Sequence, residues 1–229
     1  MIYLDNSATT RTLDIAADTA AQYMKADFFN PAAAYSAAVE VERNINSARA
    51  RLANAIHAQS DEIIYTSGGT ESNNTAIFGA LRARRGGGRI IVGATEHPSV
   101  YEAAMSMKGP YVINEARVDK TGAYDVNMLA QSIANDVAFV SVMQVNNETG
   151  AINDIPAIYK AVKQRAPMAI MHVDGVQGFL KVPFDARYCD MYSISGHKFH
   201  APKGVGALYV KRGTRFAGGQ IGGGQERNL

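Results

Sequence analysis

The sequence is poor in the features that mark secreted, membrane-spanning or polyanion-binding proteins. Its single cysteine excludes an internal disulfide and favours a reducing compartment. The chain does not open with a basic segment followed by an apolar one, so no signal peptide is predicted, and no apolar run approaches the ~20 residues that cross a bilayer. A formal net charge of +2 indicates no nucleic-acid partner. We therefore expect a soluble, cytoplasmic protein that does not enter a membrane.

The 229 residues, of which 47% are hydrophobic, suffice for one large domain with a packed core. Short runs of branched and aromatic side chains alternate with helical patterns, which indicates an α/β fold with a mostly parallel central sheet. In the long helix predicted at 36–56, Arg49 is expected to lie off the apolar side. The predicted strands are 62–66, 89–93, 111–116, 137–143, 168–173, 191–194 and 205–210, and the other predicted helices are 14–25, 71–84, 99–107, 127–134 and 156–165.

The turn after the strand at 191–194 combines a lysine with two polar side chains. Ser195, His197 and Lys198 follow this strand directly, and loops at strand ends are where α/β sheets bind ligands. A lysine there can form a Schiff base with an aldehyde if its amine is held neutral. Ser195 and His197 suit a phosphate, so pyridoxal 5'-phosphate would explain all three residues. The alternative is a solvated lysine in a hairpin turn.

A glycine-rich turn connects the first predicted strand to the helix after it. Gly69 lets the backbone approach a ligand closely, Thr70 adds a hydroxyl, and the helix start offers free N–H groups and the positive end of the helix dipole. These features predict a phosphate cradle. The alternative is a turn that only caps the helix.

Three more strands end in polar side chains, namely those followed by His97, Asn147 and Asp174. A carboxylate at a buried strand end is costly unless a cation faces it, and a protonated pyridine nitrogen is such a cation. The alternatives are a structural histidine and a helix N-cap at Asp174. Because the carboxyl ends of parallel strands share one edge, the residues after five strands are predicted to lie together: Thr70, His97, Asn147, Asp174 and Lys198.

Six motifs resemble those of cysteine desulfurases, which are class V aminotransferases of fold type I, and they occur in the order of that family. They are Tyr-Leu-Asp-Asn-Ser-Ala-Thr-Thr at 3–10, Thr-Ser-Gly-Gly-Thr-Glu at 66–71, Thr-Glu-His-Pro at 95–98, Asn-Asn-Glu-Thr-Gly at 146–150, His-Val-Asp-Gly-Val-Gln at 172–177 and Ser-Gly-His-Lys-Phe-His-Ala-Pro-Lys-Gly at 195–204. The resemblance implies a three-layer α/β fold, the large domain of fold type I, with pyridoxal 5'-phosphate as its cofactor.

The resemblance also implies a role for each site residue. Lys198 is expected to hold the cofactor covalently and to move the substrate's protons. Asp174 is expected to pair with the pyridine nitrogen, and Gln177 to hydrogen-bond the phenolic oxygen. His97 is expected to stack on the ring and to assist proton transfer, and Asn147 to contact both cofactor and substrate carboxylate. The expected phosphate ligands are Gly69, Thr70, Ser195 and His197.

The same resemblance implies cysteine as the substrate, a homodimer, and a sulfur-acceptor scaffold protein as a possible partner in iron–sulfur cluster assembly. No metal site is expected. Two alternatives stay open: a selenocysteine lyase or other class V enzyme, and a non-catalytic shortened relative that acts as a folding or dimerisation module.

Two departures from the family pattern affect these expectations. The family usually has two serines and a histidine after the Asn-Pro pair, where this sequence has Ala32, Ala33 and Tyr35. We divide the chain into an N-terminal arm, 1–12, and a cofactor-binding large domain, 13–229, and expect the family's small C-terminal domain, with its nucleophilic cysteine, to be absent. Cys189 precedes a strand whose far end carries Lys198, so it is expected to be a buried thiol too distant to replace that nucleophile, and this chain alone is expected not to complete turnover.

Overall fold

The computed structural model describes residues 2–218 and 226. Its centre is a seven-stranded sheet in the order β1-β7-β6-β5-β4-β2-β3. The strands are β1 (Ile63–Thr66), β2 (Gly88–Gly93), β3 (Tyr111–Ala116), β4 (Val137–Met143), β5 (Ile170–Asp174), β6 (Met191–Ser195) and β7 (Gly206–Val210). Each one overlaps a predicted strand.

The sheet is mostly parallel, as predicted. The strands from β3 through β2, β4 and β5 to β6 run parallel, while β7 is antiparallel to both of its neighbours, β6 and β1. Because two reversals cancel, β1 points the same way as β6. The loops that follow β1, β2, β4, β5 and β6 therefore leave the sheet at one side, which we call the carboxyl edge.

Helices cover both faces of the sheet, so the three-layer α/β prediction is confirmed. The helices are α1 (Asp14–Lys25), α2 (Ser36–Asn54), α3 (Gly69–Arg82), α4 (Pro98–Met105), α5 (Val126–Ser132) and α6 (Ile155–Arg165). On β2, Ile90 and Val92 pack in one apolar cluster with α3 and α4, whereas Ile91 packs in a second cluster with α2, α5 and α6. This alternation follows from the two-residue period of a strand.

The placement of Arg49 on the polar side of α2 was wrong. Its guanidinium is buried: it donates to the Ile63 carbonyl at 2.6 Å and to the Glu226 carboxylate at 2.7 and 2.8 Å. It also lies 4.5 Å from the centre of the Tyr65 ring. Arginine can be buried when acceptors satisfy its fork of donors, and these partners are too far away in sequence for helical periodicity to reveal them.

The N-terminal segment before α1 has no regular structure but is fastened to the turn after β6. Thr10 donates from its amide and its hydroxyl to the His197 carbonyl, at 2.8 and 2.9 Å, and the Leu13 amide donates to the His200 carbonyl. This attachment brings residues 5–9 to the carboxyl edge. Of the large domain predicted at 13–229, residues 219–225 and 227–229 lie outside the described residues. In the part of the chain that is described, no helix is long and apolar enough to cross a bilayer.

Candidate active site

A cavity of about 450 Å³ opens at the carboxyl edge of the sheet. This volume lies in the range of ~300–1,000 Å³ that is usual for small-molecule sites. All nine residues that the sequence analysis selected line this one cavity, which places them within reach of a single ligand: Gly69, Thr70, His97, Asn147, Asp174, Gln177, Ser195, His197 and Lys198.

Lys198 ends a single helical turn, Gly196–Lys198, directly after β6. Its Nζ donates to the carbonyls of Ser7 and Ala8, at 2.6 and 2.8 Å. Burial above all, and then the positive charge of Lys181, lower the pKa of this amine. A lowered pKa increases the neutral fraction, which is the form that attacks a carbonyl carbon.

The glycine turn and the start of α3 form a second part of the cavity wall. Gly68, with φ of +152°, is the N-cap of α3 and has no side chain to cap the helix, so the first-turn amides face the cavity side without a side-chain acceptor. A Cβ on Gly69 would lie 2.8 Å from Val176 Cγ2, which shows how closely the helix start approaches the turn after β5. Open amides and the helix dipole together favour an anion here.

Asp174 is buried at the end of β5. Its Oδ1 accepts from the Val176 amide and its Oδ2 from Asn73 Nδ2, both at 2.9 Å. Burial, the largest effect, raises the pKa of this carboxyl, and none of the ion pairs found in residues 2–218 and 226 involves it. The segment after Asp174 is a turn and not a helix, and the bond from the Val176 amide caps that turn.

A short hydrogen-bonded relay connects Asp174 to His97. Asn73 Nδ2 also donates to Ser99 Oγ at 2.9 Å, and Ser99 approaches His97 Nδ1 through its hydroxyl at 2.8 Å and its amide at 3.1 Å. Because a backbone N–H can only donate, Nδ1 is an acceptor, and the neutral ring carries its proton on Nε2. Sequence analysis missed Asn73 and Ser99, although Asn73 lies one helical turn after Gly69 and therefore on the same side of α3.

Gln177 and His197 connect the cavity to the N-terminal segment. Gln177 Nε2 donates to the Ser7 carbonyl at 2.7 Å, the same oxygen that Lys198 contacts. His197 Nδ1 lies 3.0 Å from Thr9 Oγ1, and burial, followed by the charge of Lys198, lowers the pKa of the ring. His197 is therefore a neutral imidazole at physiological pH, able to donate one hydrogen bond without adding a charge.

Cys189 lies at the other side of the molecule. It precedes β6 at the end remote from Lys198, it is fully buried, and its Sγ contacts the Ala186 carbonyl at 3.7 Å. Burial raises the pKa of the thiol well above its ordinary value, so the thiolate is disfavoured. The prediction of a buried thiol outside the site agrees with this position.

The residues present fit pyridoxal 5'-phosphate. One part of the wall offers an amine of lowered pKa, a second offers helix-start amides without a side-chain cap, and a third offers a buried carboxylate that forms no salt bridge within residues 2–218 and 226. These three groups match the aldehyde, the phosphate and the protonated pyridine nitrogen of that cofactor.

Fold and site together define a three-layer α/β protein with a small-molecule cavity at the carboxyl edge. Residues 2–228 match the aminotransferase class-V family, and the chain belongs to that family. It is 39% identical over 230 residues to a cysteine desulfurase of Nostoc sp., a match that covers 99% of this chain and 57% of the relative. The chain thus spans little more than half the length of this curated relative.

Two solved structures share the fold. A NifS-like protein superimposes with a TM-score of 0.94 at 33% identity, covering all of this chain and 64% of its own. SspA in complex with cysteine superimposes with a TM-score of 0.93 at 29% identity, covering all of this chain and 67% of its own. Class V membership and the α/β fold are therefore confirmed, whereas the roles of the site residues stay predictions.

Proposed function

We propose that this chain carries the pyridoxal 5'-phosphate site of a cysteine desulfurase, an enzyme that converts cysteine to alanine and transfers its sulfur. The observation that carries the proposal is the meeting, in one cavity, of the Lys198 amine with the buried Asp174 carboxylate and the open start of α3. Bound there, the cofactor would supply an electron sink for bonds broken at the substrate's α and β carbons.

Asp174 would hold the pyridine nitrogen and keep it protonated. The carboxylate is fixed by the Val176 amide and by Asn73, so it is already oriented before a ligand enters. A cation beside it would lower the pKa that burial has raised, because opposite charges stabilise the ionised form. The binding of a pyridinium and the ionisation of Asp174 therefore favour each other.

The phosphate would lie against the start of α3. The amides after Gly68, the Thr70 and Ser195 hydroxyls and the neutral His197 ring supply donors on that side. Gln177 would donate through Nε2 to the phenolic oxygen. In the absence of a ligand, the same Nε2 donates to the Ser7 carbonyl.

His97 and Asn147 would act on the substrate side. His97 presents Nε2–H and is tied through Ser99 and Asn73 to Asp174, so its ring is oriented for stacking and for proton transfer. Asn147 would contact the substrate carboxylate. Cysteine as substrate is supported by the names of the relatives and by the SspA complex.

We further propose that desulfuration by this chain alone does not proceed at an enzyme's rate. Attack on the substrate's sulfur requires a thiolate, and the sequence has one cysteine, which is buried at the opposite edge with a raised pKa. As a second candidate, we propose that these 229 residues by themselves bind the cofactor without releasing sulfur. A homodimer and a sulfur-acceptor scaffold, as in iron–sulfur cluster assembly, are the partners that the family resemblance suggests.

Borohydride trapping tests the cofactor site directly. We expect that reduction of the chain with bound pyridoxal 5'-phosphate, followed by peptide mapping, places the label on Lys198. Lys181→Ala is the matched control, because it removes a neighbouring amine of lowered pKa and should keep the label in place. A label on Lys181 or Lys203 in the unaltered chain contradicts the proposal.

A second assay separates the two candidates. The loaded chain is mixed with cysteine, and alanine and protein-bound persulfide are followed beside a full-length desulfurase. Turnover equal to that of the full-length enzyme would show that a nucleophile other than a buried Cys189 is at work. Loading without turnover supports cofactor binding without desulfuration.

A further inference from the structure

A buried acid lies next to His97 in the loop that follows β2. Glu96 is 8% exposed. Its Oε1 accepts a hydrogen bond of 2.7 Å from the Tyr124 hydroxyl, while its Oε2 is buried and has no hydrogen-bond partner among the described residues. The ion pairs found in residues 2–218 and 226 do not include Glu96. An ionised carboxylate in such surroundings is strongly disfavoured, so the side chain is a neutral acid at neutral pH.

Burial and the nearest negative charge both raise the pKa of Glu96, and hydrogen bonds oppose them. Burial, followed by the negative charge of Asp174, raises the pKa of Glu96 to about 8, and hydrogen bonding by Tyr124 and the Met143 backbone offsets this only in part. Tyr124 has its own pKa raised well above the ordinary value by burial and by Glu96. Near neutral pH both Glu96 and Tyr124 therefore hold a proton, whereas in an exposed pair only the tyrosine would.

The fold has room for this pair because residue 93 is glycine. A Cβ on Gly93 would collide with the Tyr124 hydroxyl and would lie 2.8 Å from Glu96 Oε1. The backbone around Tyr124 is also anchored, since its amide donates to Asn153 Oδ1 at 2.9 Å and Asn153 Nδ2 donates to the Met143 carbonyl at 2.9 Å. The acid and the hydroxyl are thus a built contact between the loops that follow β2 and β3.

A second bond joins the loop after β2 to the loop after β4. Asn146 Nδ2 donates to the Thr95 carbonyl at 3.1 Å. Thr95 directly precedes Glu96 in the first loop, and Asn146 directly precedes Asn147 in the second. Glu96 points into the core, whereas His97, the next residue, is exposed and lines the cavity. A fixed Glu96 therefore fixes the backbone from which the His97 ring projects.

We propose that Glu96 is a positioning residue: as a neutral acid bonded to Tyr124, it holds the loop that presents His97 to the cavity. Any effect of the His97 position on cofactor or substrate binding rests on the proposed function. The positioning of His97 by Glu96 is itself a property of the chain without a ligand. Glu96→Gln should preserve it, because the amide oxygen still accepts from Tyr124. Glu96→Ala and Tyr124→Phe should remove it.

The first experiment uses the cofactor-free chain and the NMR signal of the His97 imidazole. We expect the signal of Glu96→Gln to match that of the unaltered chain, and those of Glu96→Ala and Tyr124→Phe to shift or broaden. Asp190→Asn is the matched control, because it alters a buried acid at the opposite edge and should leave the His97 signal in place. An unchanged His97 signal in both Glu96→Ala and Tyr124→Phe overturns the proposal.

The second experiment measures the unfolding equilibrium against pH. Because the folded-state pKa of Glu96 is raised, the unaltered chain should lose stability as pH rises from the ordinary value of 4.5 to about 8. Relative to Glu96→Gln, its folded-to-unfolded ratio should fall on the order of a thousandfold over that interval and then level off. Equal pH profiles for the two chains would show that Glu96 is not held neutral and overturn the proposal.

The third experiment measures the dissociation constant of pyridoxal 5'-phosphate by absorbance. It should rise roughly tenfold in Tyr124→Phe and stay unchanged in Glu96→Gln, in line with the loss of about one buried hydrogen bond. If the unaltered chain binds no cofactor, the proposed function fails while the first two experiments still decide the role of Glu96. Normal affinity in a Tyr124→Phe chain whose His97 signal has moved contradicts the link between the two.

Discussion

Two buried aspartates at opposite ends of adjacent strands show how this protein separates its site from its scaffold. Asp190, just before β6, accepts from Lys163 Nζ at 2.6 Å and from the Met171 amide at 2.7 Å, so a cation of the chain itself satisfies it. Asp174, at the end of β5, accepts from one amide and one asparagine, and no salt bridge in the described residues reaches it. The first carboxylate completes a structural pair, and the second has room for a cation that a ligand brings.

The largest effect is expected from Asp174→Asn. The amide cannot pair ionically with a pyridinium, so the dissociation constant for pyridoxal 5'-phosphate should rise about tenfold to a hundredfold, or roughly 1.5–3 kcal/mol. The raised pKa of Asp174 adds a pH signature: its contribution to stability is present below the ordinary pKa of 3.8 and is lost as pH rises through the folded-state value. The asparagine variant should lack that loss. An unchanged cofactor affinity would falsify the ligand role.

Asp190→Asn should show the opposite profile. Removing the charge leaves Lys163 partly buried and unpaired, so the free energy of unfolding should drop by about 2 kcal/mol, a figure reduced from the fully buried case because the Lys163 side chain is 25% exposed. Urea denaturation measures the loss, and cofactor titration should give an unaltered dissociation constant. A weakened cofactor affinity without a loss of stability would break the contrast between the two aspartates.

Gly69→Ala should weaken cofactor binding about fivefold, near 1 kcal/mol, because the new methyl group forces Val176 away from the start of α3. Val176→Ala removes the methyl group that the new Cβ would meet, so the double variant Gly69→Ala/Val176→Ala should recover most of the affinity for the cofactor. If the double variant binds as weakly as the single one, the loss comes from the helix start itself and not from its contact with the turn after β5.

The smallest effect is expected from Cys189→Ser. A hydroxyl in place of the buried thiol should lower the free energy of unfolding by less than about 2 kcal/mol and leave the cofactor's dissociation constant unchanged. Mass spectrometry after incubation with cysteine shows whether a persulfide forms on Cys189. A persulfide that forms on the unaltered loaded chain and disappears selectively in the serine variant would contradict the buried, unreactive thiol.

The sequence was sufficient to predict the strands and the side at which their polar ends meet. Apolar runs locate β1 to β7, and parallel strand direction then brings His97, Asn147 and Asp174 together without any knowledge of contacts. Only the positions follow from this reasoning. The roles of these residues rest on resemblance and on the experiments above.

Side chains whose partners are distant in sequence could not be predicted. Asn73 bonds Asp174 across 101 positions, and Tyr124 reaches Glu96 across 28, so no local pattern marks either contact. Arg49 was misplaced for the same reason, because helical periodicity treats every arginine as a solvated one. Burial of polar groups depends on tertiary partners, which periodicity does not encode.

The shared carbonyl of Ser7 has a kinetic consequence. It accepts from both Lys198 and Gln177, the two side chains that the proposed cofactor would use for its aldehyde and its phenolic oxygen. The backbone of residues 7 and 8 therefore competes with a ligand for these two side chains, because each must give up a bond to this segment before it can bond the ligand. Loading should then be slower than diffusion allows. As the site fills and the segment is displaced, the amides of Ala8 and Thr9, which donate to the Asp5 carbonyl, should lose protection from hydrogen exchange, so the N-terminal segment reports occupancy.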